Sequence, residues 1–217
     1  MDIEQARFNM IEQQIRPWNV LDPAVLALLA AVRREDFVPS AYRSLAFVDC
    51  EVPLPDGQNM LAPKLEARLL QELAVQRHER VLEIGAGSGF MAALLAHRAR
   101  SVLSLEIRPN LATMAAANLQ RAGIANCKVR VLDGSGGVPG DAPFDAIVLS
   151  GSVNAVPQAL LEQLAPGGRL IAIVGDEPIM RAVRVHRVAQ SQFQSTDLFD
   201  TFATRLSGFG EPSRFRF

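Results

Sequence analysis

Three glycines at alternate positions, Gly85, Gly87 and Gly89, follow directly on the apolar run Val81-Leu82-Glu83-Ile84 and lead into a helical pattern that begins at Phe90. Glycine serves where backbone must turn sharply or let a ligand approach closely. A turn outside the carboxyl end of a strand is where open α/β sheets bind ligands. The spacing is G-x-G-x-G, not the dinucleotide type G-x-G-x-x-G, which disfavours an NAD-dependent oxidoreductase. A second expected strand ends in Ser104-Leu105-Glu106, 21 residues past Gly85, and an acid at such a strand tip can accept both hydroxyls of a ribose. A third ends in Leu132-Asp133-Gly134, where Asp133 could accept from an adenine amino group. A fourth, Phe144–Leu149, runs into Ser150-Gly151-Ser152, and Pro166-Gly167-Gly168 turns into a fifth. The converging loops carry two acids and no basic residue at the positions assigned to a ligand. A pyrophosphate would prefer helix N-termini and cations, so this setting suits an adenosine without phosphates, such as the sulfonium S-adenosylmethionine.

The elements that must position these residues alternate between helix and strand. Helices are expected from Pro63 (Leu65, Leu69, Leu70, Leu73), through Leu94 and Leu95, from Pro109 to a stop at Gly123, and from Pro157 to Leu164. Strands are expected at Arg80–Ile84, Ser101–Ile107, Lys128–Leu132, Asp145–Leu149 and Arg169–Val174. Strands joined by helices of this length imply right-handed crossovers: a Rossmann-like, doubly wound, mostly parallel α/β sheet with helices on both faces. Ahead of it, residues 1–16 suit an amphipathic helix burying Phe8, Ile11 and Ile15, and a second helix starts with Asp22 as N-cap, Pro23 at its first position and Leu21 stapled onto Leu26. Its stripe is Val25, Leu28, Leu29 and Val32, and the Pro-rich stretch 39–60 reads as a connection. The division expected is an N-terminal helical cap over 1–62 and a ligand-binding domain over 63–217. Ala182–Val188 and Leu206–Phe217 read as antiparallel strands finishing one sheet edge.

The 217 residues are 49% apolar and 21% charged, with 22 basic against 23 acidic side chains. This composition fits a globular chain and lacks the basic footprint of a nucleic-acid binder. Cys50 and Cys127 match no metal spacing, and His78, His97 and His186 are scattered, so neither a metal site nor a catalytic triad is expected. The longest apolar stretch, Ala24 to Val32, is too short to cross a bilayer, and Met-Asp-Ile-Glu is no signal peptide. The expectation is a soluble, cytoplasmic protein with no membrane or nucleic-acid partner.

The Gly-rich turn, Glu106, Asp133-Gly134 and the Phe144–Leu149 strand together resemble the class I methyltransferases that use S-adenosylmethionine. Over residues 5–175 the chain resembles, more narrowly, the protein-L-isoaspartate O-methyltransferases. Asp36-Phe37-Val38-Pro39 falls in that family's R-x-x-F-V-P stretch, Ala46-Phe47-Val48-Asp49 matches A-Y-x-D, and Pro53 with Gly57-Gln58 matches P-x-G-x-G-Q. Ala142–Ile147 and Gln158–Leu161 fit as well. The resemblance implies transfer of methyl from S-adenosyl-L-methionine, leaving S-adenosyl-L-homocysteine, to an isoaspartyl carboxylate of damaged protein, a repair activity. It places the cofactor at Glu83, Gly85, Ala86, Gly87, Ser88, Gly89, Glu106, Ile107, Asp133 and Gly134. It places the substrate at Gln58, Asn59, Met60, Leu61, Ser150 and Ser152.

One stretch departs from the family, where Gly-Gln is followed by Thr-Ile-Ser-Gln-Pro and the serine is treated as an active-site group. Here the segment reads Asn59-Met60-Leu61-Ala62-Pro63. An isoaspartyl carboxylate, with an ordinary pKa of about 4, is already ionised and needs no general base; catalysis is positioning. Leu61 therefore removes an orienting donor, fills its space and desolvates the acceptor. Cofactor binding is expected to persist and isoaspartyl turnover to suffer, so a re-purposed or non-catalytic cofactor-binding homologue stands beside the enzyme reading, as does an unidentified small acceptor. Asp49, Glu51 and Asp56 could serve as base only for a hydroxyl or amine. Trp18 and Tyr42 could line a substrate groove.

Overall fold

The computed structural model describes residues 2–210. In chain order it forms α1 (Ile3–Met10), α2 (Pro23–Ala31), the short hairpin β1 (Val52–Pro53) and β2 (Asn59–Met60), and α3 (Pro63–Leu73). There follow β3 (Arg80–Ile84), α4 (Phe90–Arg98), β4 (Ser101–Glu106), α5 (Pro109–Arg121) and β5 (Cys127–Val131). The chain continues with β6 (Phe144–Val153), α6 (Gln158–Leu161), β7 (Leu164–Asp176), β8 (Ile179–Ala189) and β9 (Gln192–Thr201). The seven-stranded sheet has the order β5-β4-β3-β6-β7-β8-β9. Pairing is parallel from β5 to β7 and antiparallel through β8 and β9. The expected doubly wound sheet is the observed one.

Winding proceeds outward from β3 in both directions, first to β4 and β5, then to β6 and β7. The crevice between β3, β4 and β6 is therefore the topological switch point, where a ligand meets the carboxyl ends of strands. One apolar cluster packs Met10, Ile15, Leu29, Leu69 and Leu94 against Val148 and Ile171 of the sheet. Another covers the opposite face with Leu82, Phe144, Ile147, Leu160 and Leu170. Side chains alternate along β3, so Glu83 shares the face of Val81, the face of the first cluster.

Local chemistry accounts for the helix ends. The Asp22 carboxylate accepts from the Ala24 N–H at 2.8 Å, capping α2 ahead of Pro23. Leu21, however, stays 62% exposed and staples nothing. Residues 3–18 hold no single continuous α-helix: α1 passes into a π turn at Ile11–Ile15 and a 3-10 turn at Arg16–Trp18. A π turn shifts the helical phase, so Phe8 points to solvent while Arg7 and Met10 are buried. Two buried ion pairs, Arg7 with Glu35 and Arg34 with Glu66, tie this segment together and onto α3.

At the far edge, the first antiparallel strand lies where expected, but its partner is 192–201 rather than 206–217. Residues 206–210 are loop, and 211–217, including Arg214-Phe215-Arg216-Phe217, lie outside the described residues. Pro166-Gly167-Gly168 forms an irregularity within β7 beside Asp145, at the end of the sheet away from the crevice.

Candidate active site

The carboxyl ends of β3 to β6 frame an open cleft, lined by the Gly85 and Gly87 backbone, Glu106, Ile107, Leu132 and Gly134 on one side. Gln58, Asn59, Ser150, Leu206 and Ser207 form the other side. Gly85 has φ +93°, and a Cβ there would fall 2.7 Å from Leu206 Cδ2. Gly89, at φ +85°, opens α4, and a Cβ would lie 3.1 Å from the Ala115 carbonyl of α5. Both positions require glycine, the first for the wall of the cleft and the second for helix packing.

Glu106 stands at the tip of β4, nearly buried, and both its oxygens are fixed by backbone. Gly87 N–H donates to Oε2 at 2.9 Å and Arg108 N–H donates to Oε1 at 3.1 Å. Each oxygen keeps a lone pair for a further donor, the disposition a vicinal diol requires. Asp133 sits at the exposed rim, accepting from Ser135 N–H at 2.9 Å, with Gly208 packed so closely that a Cβ would touch its carboxylate. Arg108 also lines the cleft, its Nη2 donating to Ser207 Oγ at 2.9 Å. The cleft thus holds a cation next to the assigned position Ile107, although the positions assigned from the sequence carry none themselves.

A smaller inner cavity opens beyond Gly85 and Gly87, lined by Asn59, Met60, Leu61, Glu66, Glu83, Ala86, Ser88, Phe90, Met91 and Ser150. Leu61 is 3% exposed and faces this cavity, and its carbonyl accepts from Arg34 Nη2 at 2.6 Å. Ala62 instead caps α3 and is absent from the cavity wall. Glu83 is wholly buried; Ser104 Oγ meets one carboxyl oxygen at 2.5 Å and Ser150 Oγ meets the other at 2.8 Å. Its partners are hydroxyls rather than a cation, so burial pushes its pKa up to about 8, with Glu66 and Glu106 adding to the rise. Burial likewise raises Glu66 to about 7, against the pull of Arg34.

A strap from the far end of the chain completes the site. Thr204 donates its N–H and Oγ1 to the Glu51 carboxylate at 3.0 and 2.8 Å, and its Oγ1 accepts from Asn59 Nδ2 at 2.8 Å. Ser152, expected in the substrate pocket, serves this strap instead. Its hydroxyl donates to the Ala203 carbonyl at 2.8 Å, its N–H to the Thr204 carbonyl, and its own carbonyl accepts from Leu206 N–H. Glu51 is thus committed to Thr204, and Asp49 pairs with Lys64 at 2.6 Å. Trp18 lies under Lys64, whose Nζ is 4.0 Å from the ring centroid. Among the described residues no cluster of His, Cys, Asp and Glu could hold a metal, and no helix is long and apolar enough to cross a membrane.

Residues 5–204 match the family model described as protein-L-isoaspartate(D-aspartate) O-methyltransferase. The chain belongs to this family. A Syntrophobacter fumaroxidans relative named protein-L-isoaspartate O-methyltransferase 1 is 42% identical over 85% of this chain and 86% of its own length. A Rhodopseudomonas palustris relative of the same name is 43% identical over 93% and 83%. Among solved structures, a Plasmodium falciparum protein assigned to this family, in complex with S-adenosyl-L-homocysteine, superposes with a TM-score of 0.78 at 20% identity, covering 95% of this chain and 99% of that one. That likeness shows the fold. By its family the chain is a methyltransferase using S-adenosyl-L-methionine, which sets aside the oxidoreductase and non-catalytic readings.

The sequence pattern missed Arg34, Glu66, Ser104, Arg108, Leu206 and Ser207. Two of these left a trace. Glu66 is an acid on the buried stripe of α3, between Leu65 and Leu69, and Arg34 is the arginine of the R-x-x-F-V-P stretch. Nothing in the local pattern marks Leu206 or Ser207.

Proposed function

We propose that this enzyme methylates the free carboxylate of isoaspartyl residues in proteins or peptides, a repair reaction carried out in the cytoplasm, without a nucleic-acid or membrane partner. The observation that carries the reading is the wall of Asn59, Gly85, Gly87 and Ser150 that the cleft and the inner cavity share, two of its members glycines that present no side chain. A nucleoside and an acceptor can thereby meet end to end. Glu106 would hold the ribose hydroxyls, with Ile107, Leu132 and Gly134 beside the base and Asp133 at its rim. The turn Gly85–Gly89 would admit the methionine end, facing Glu83, Ala86 and Ser88. The bound cofactor supplies an electrophilic methyl on sulfonium, and the acceptor arrives already ionised. The protein's contribution is alignment and exclusion of water. Residues 1–62 act as the acceptor-side cap, with Gln58, Asn59, Met60 and Leu61 at the cavity, on the unit formed by 63–217. The relatives' names support a carboxylate acceptor.

The test is transfer of labelled methyl to an isoaspartyl peptide and to its aspartyl counterpart. Label is expected in the isoaspartyl peptide alone. No label, with S-adenosyl-L-homocysteine still bound, would refute the acceptor assignment.

A further inference from the structure

Four residues line both the cleft and the inner cavity: Asn59, Gly85, Gly87 and Ser150. They mark the junction where a methyl donor lying along Glu106 must meet an acceptor coming from the Leu61 side. The glycines have no side chain to offer, and the Asn59 amide is held by Thr204 at 2.8 Å. Leu61 makes the facing wall apolar, and Ser88 lies only on the inner side. The hydroxyl at the junction is that of Ser150.

We propose that Ser150, held from behind by Glu83, orients the acceptor carboxylate by donating its hydroxyl hydrogen to one carboxylate oxygen while the other attacks. The inference rests on the carboxylate reading above. The attacking oxygen forms a C–O bond to the methyl carbon as the S–CH3 bond breaks, and the electron pair of that bond stays on sulfur. No proton moves, so the Ser150 hydroxyl needs no base.

The geometry behind Ser150 fits that part. Glu83 is fixed at both oxygens, at 2.8 Å from Ser150 Oγ and 2.5 Å from Ser104 Oγ. The charged groups facing it, Glu66 and Glu106, are both acidic, and Arg34 is committed to Glu66. Near neutral pH Glu83 therefore keeps its proton. A neutral carboxyl can accept from Ser104 and donate to Ser150 Oγ. That leaves the Ser150 hydrogen free to point into the cleft. An ionised Glu83 would claim that hydrogen instead. The buried acid fixes the rotor of a hydroxyl whose own direction the chain would otherwise leave open.

The experiment measures kcat and KM for isoaspartyl peptide together with calorimetric affinity for S-adenosyl-L-homocysteine, in wild type, Ser150→Ala and Ser150→Thr. Ser150→Ala is expected to lose at least tenfold in kcat/KM for the peptide and to change nucleoside affinity by less than twofold. Ser150→Thr, which keeps the hydroxyl, is expected to recover most of the loss. Wild-type kcat/KM in Ser150→Ala overturns the proposal, and so does an equal loss of nucleoside affinity, which would make Ser150 a cofactor ligand. If Ser150→Ala does not fold, Ser150→Cys, close in volume but a weak donor, carries the same expectation. A wild type that binds the nucleoside and methylates no peptide overturns the acceptor reading and this inference with it, before any variant is made.

Discussion

Replacing Glu83 by glutamine keeps the shape of the side chain, a donor toward Ser150 and an acceptor toward Ser104, and removes only the ability to ionise. In the folded chain burial moves this carboxyl from its ordinary 4.5 to about 8. Between those values the folded protein holds a proton that the unfolded chain releases, so stability falls as pH rises through the window. The contribution is fully present below 4.5 and lost above 8. At about 1.4 kcal/mol per pH unit, the loss is ~2 kcal/mol at pH 6 and ~5 kcal/mol at pH 9. The wild type should therefore weaken by ~3 kcal/mol between these pH values relative to Glu83→Gln. With a urea m-value of about 2 kcal/mol/M, the two unfolding midpoints should diverge by ~1.5 M. Urea melts at pH 6 and pH 9, followed by circular dichroism, read this directly. Glu66 titrates in both proteins, so only its coupling to Glu83 enters the comparison. Midpoints that move in parallel would refute the reasoning: Glu83 would then be ionised in the fold, and Ser150 would be donating to it rather than into the cleft.

S-adenosyl-L-methionine and S-adenosyl-L-homocysteine should raise the melting temperature while NAD and ATP leave it unchanged, because ligand binding to the native state stabilises it by mass action. Glu106→Ala should weaken S-adenosyl-L-methionine binding by about 1.5–3 kcal/mol in a calorimetric titration, the worth of hydrogen bonds to a charged group, and unchanged affinity would place the ribose elsewhere. Leu61→Ser with Ala62→Gln should raise turnover of isoaspartyl peptide by adding a second donor at the cavity wall. Denaturant melts of the same variant should show a loss of about 2–5 kcal/mol, as for a large-to-small core change. Arg34→Ala should cost about 3–5 kcal/mol, since it strands the buried Glu66 and frees the carbonyls of Ala46 and Leu61.

The parts of the fold that could be read from sequence are those where local chemistry and tertiary burial agree. Arg80–Ile84 carries buried apolar residues on both faces and runs into Gly85, and Asp22-Pro23 is a helix start whatever surrounds it. The strand Gln192–Thr201 could not be seen this way. It is largely polar and exposed, and it exists because β8 offers a register from Met180 to Ala189. Phe8 was misplaced because a π turn downstream changes the phase that a 3.6-residue period assumes. In the site, the glycines and Glu106 follow a strand–turn–helix rule and are legible. Ser152 and Ser150 share one motif, yet pairing with β7 and the strap turns Ser152 away. Arg34, Leu206 and Ser207 reach the site across the fold, a relation that no window of sequence contains.

The strap made by Ala203 to Gly208 follows every strand of the sheet in chain order. Leu206 over Gly85 and Ser207 against Arg108 thus give the cleft a wall that belongs to no strand of the sheet. Order in that wall is expected to depend on the ligand more than order in the sheet does. The amides that bridge Ser152 to Thr204 and Leu206 are the ones whose hydrogen exchange should slow most when the nucleoside binds.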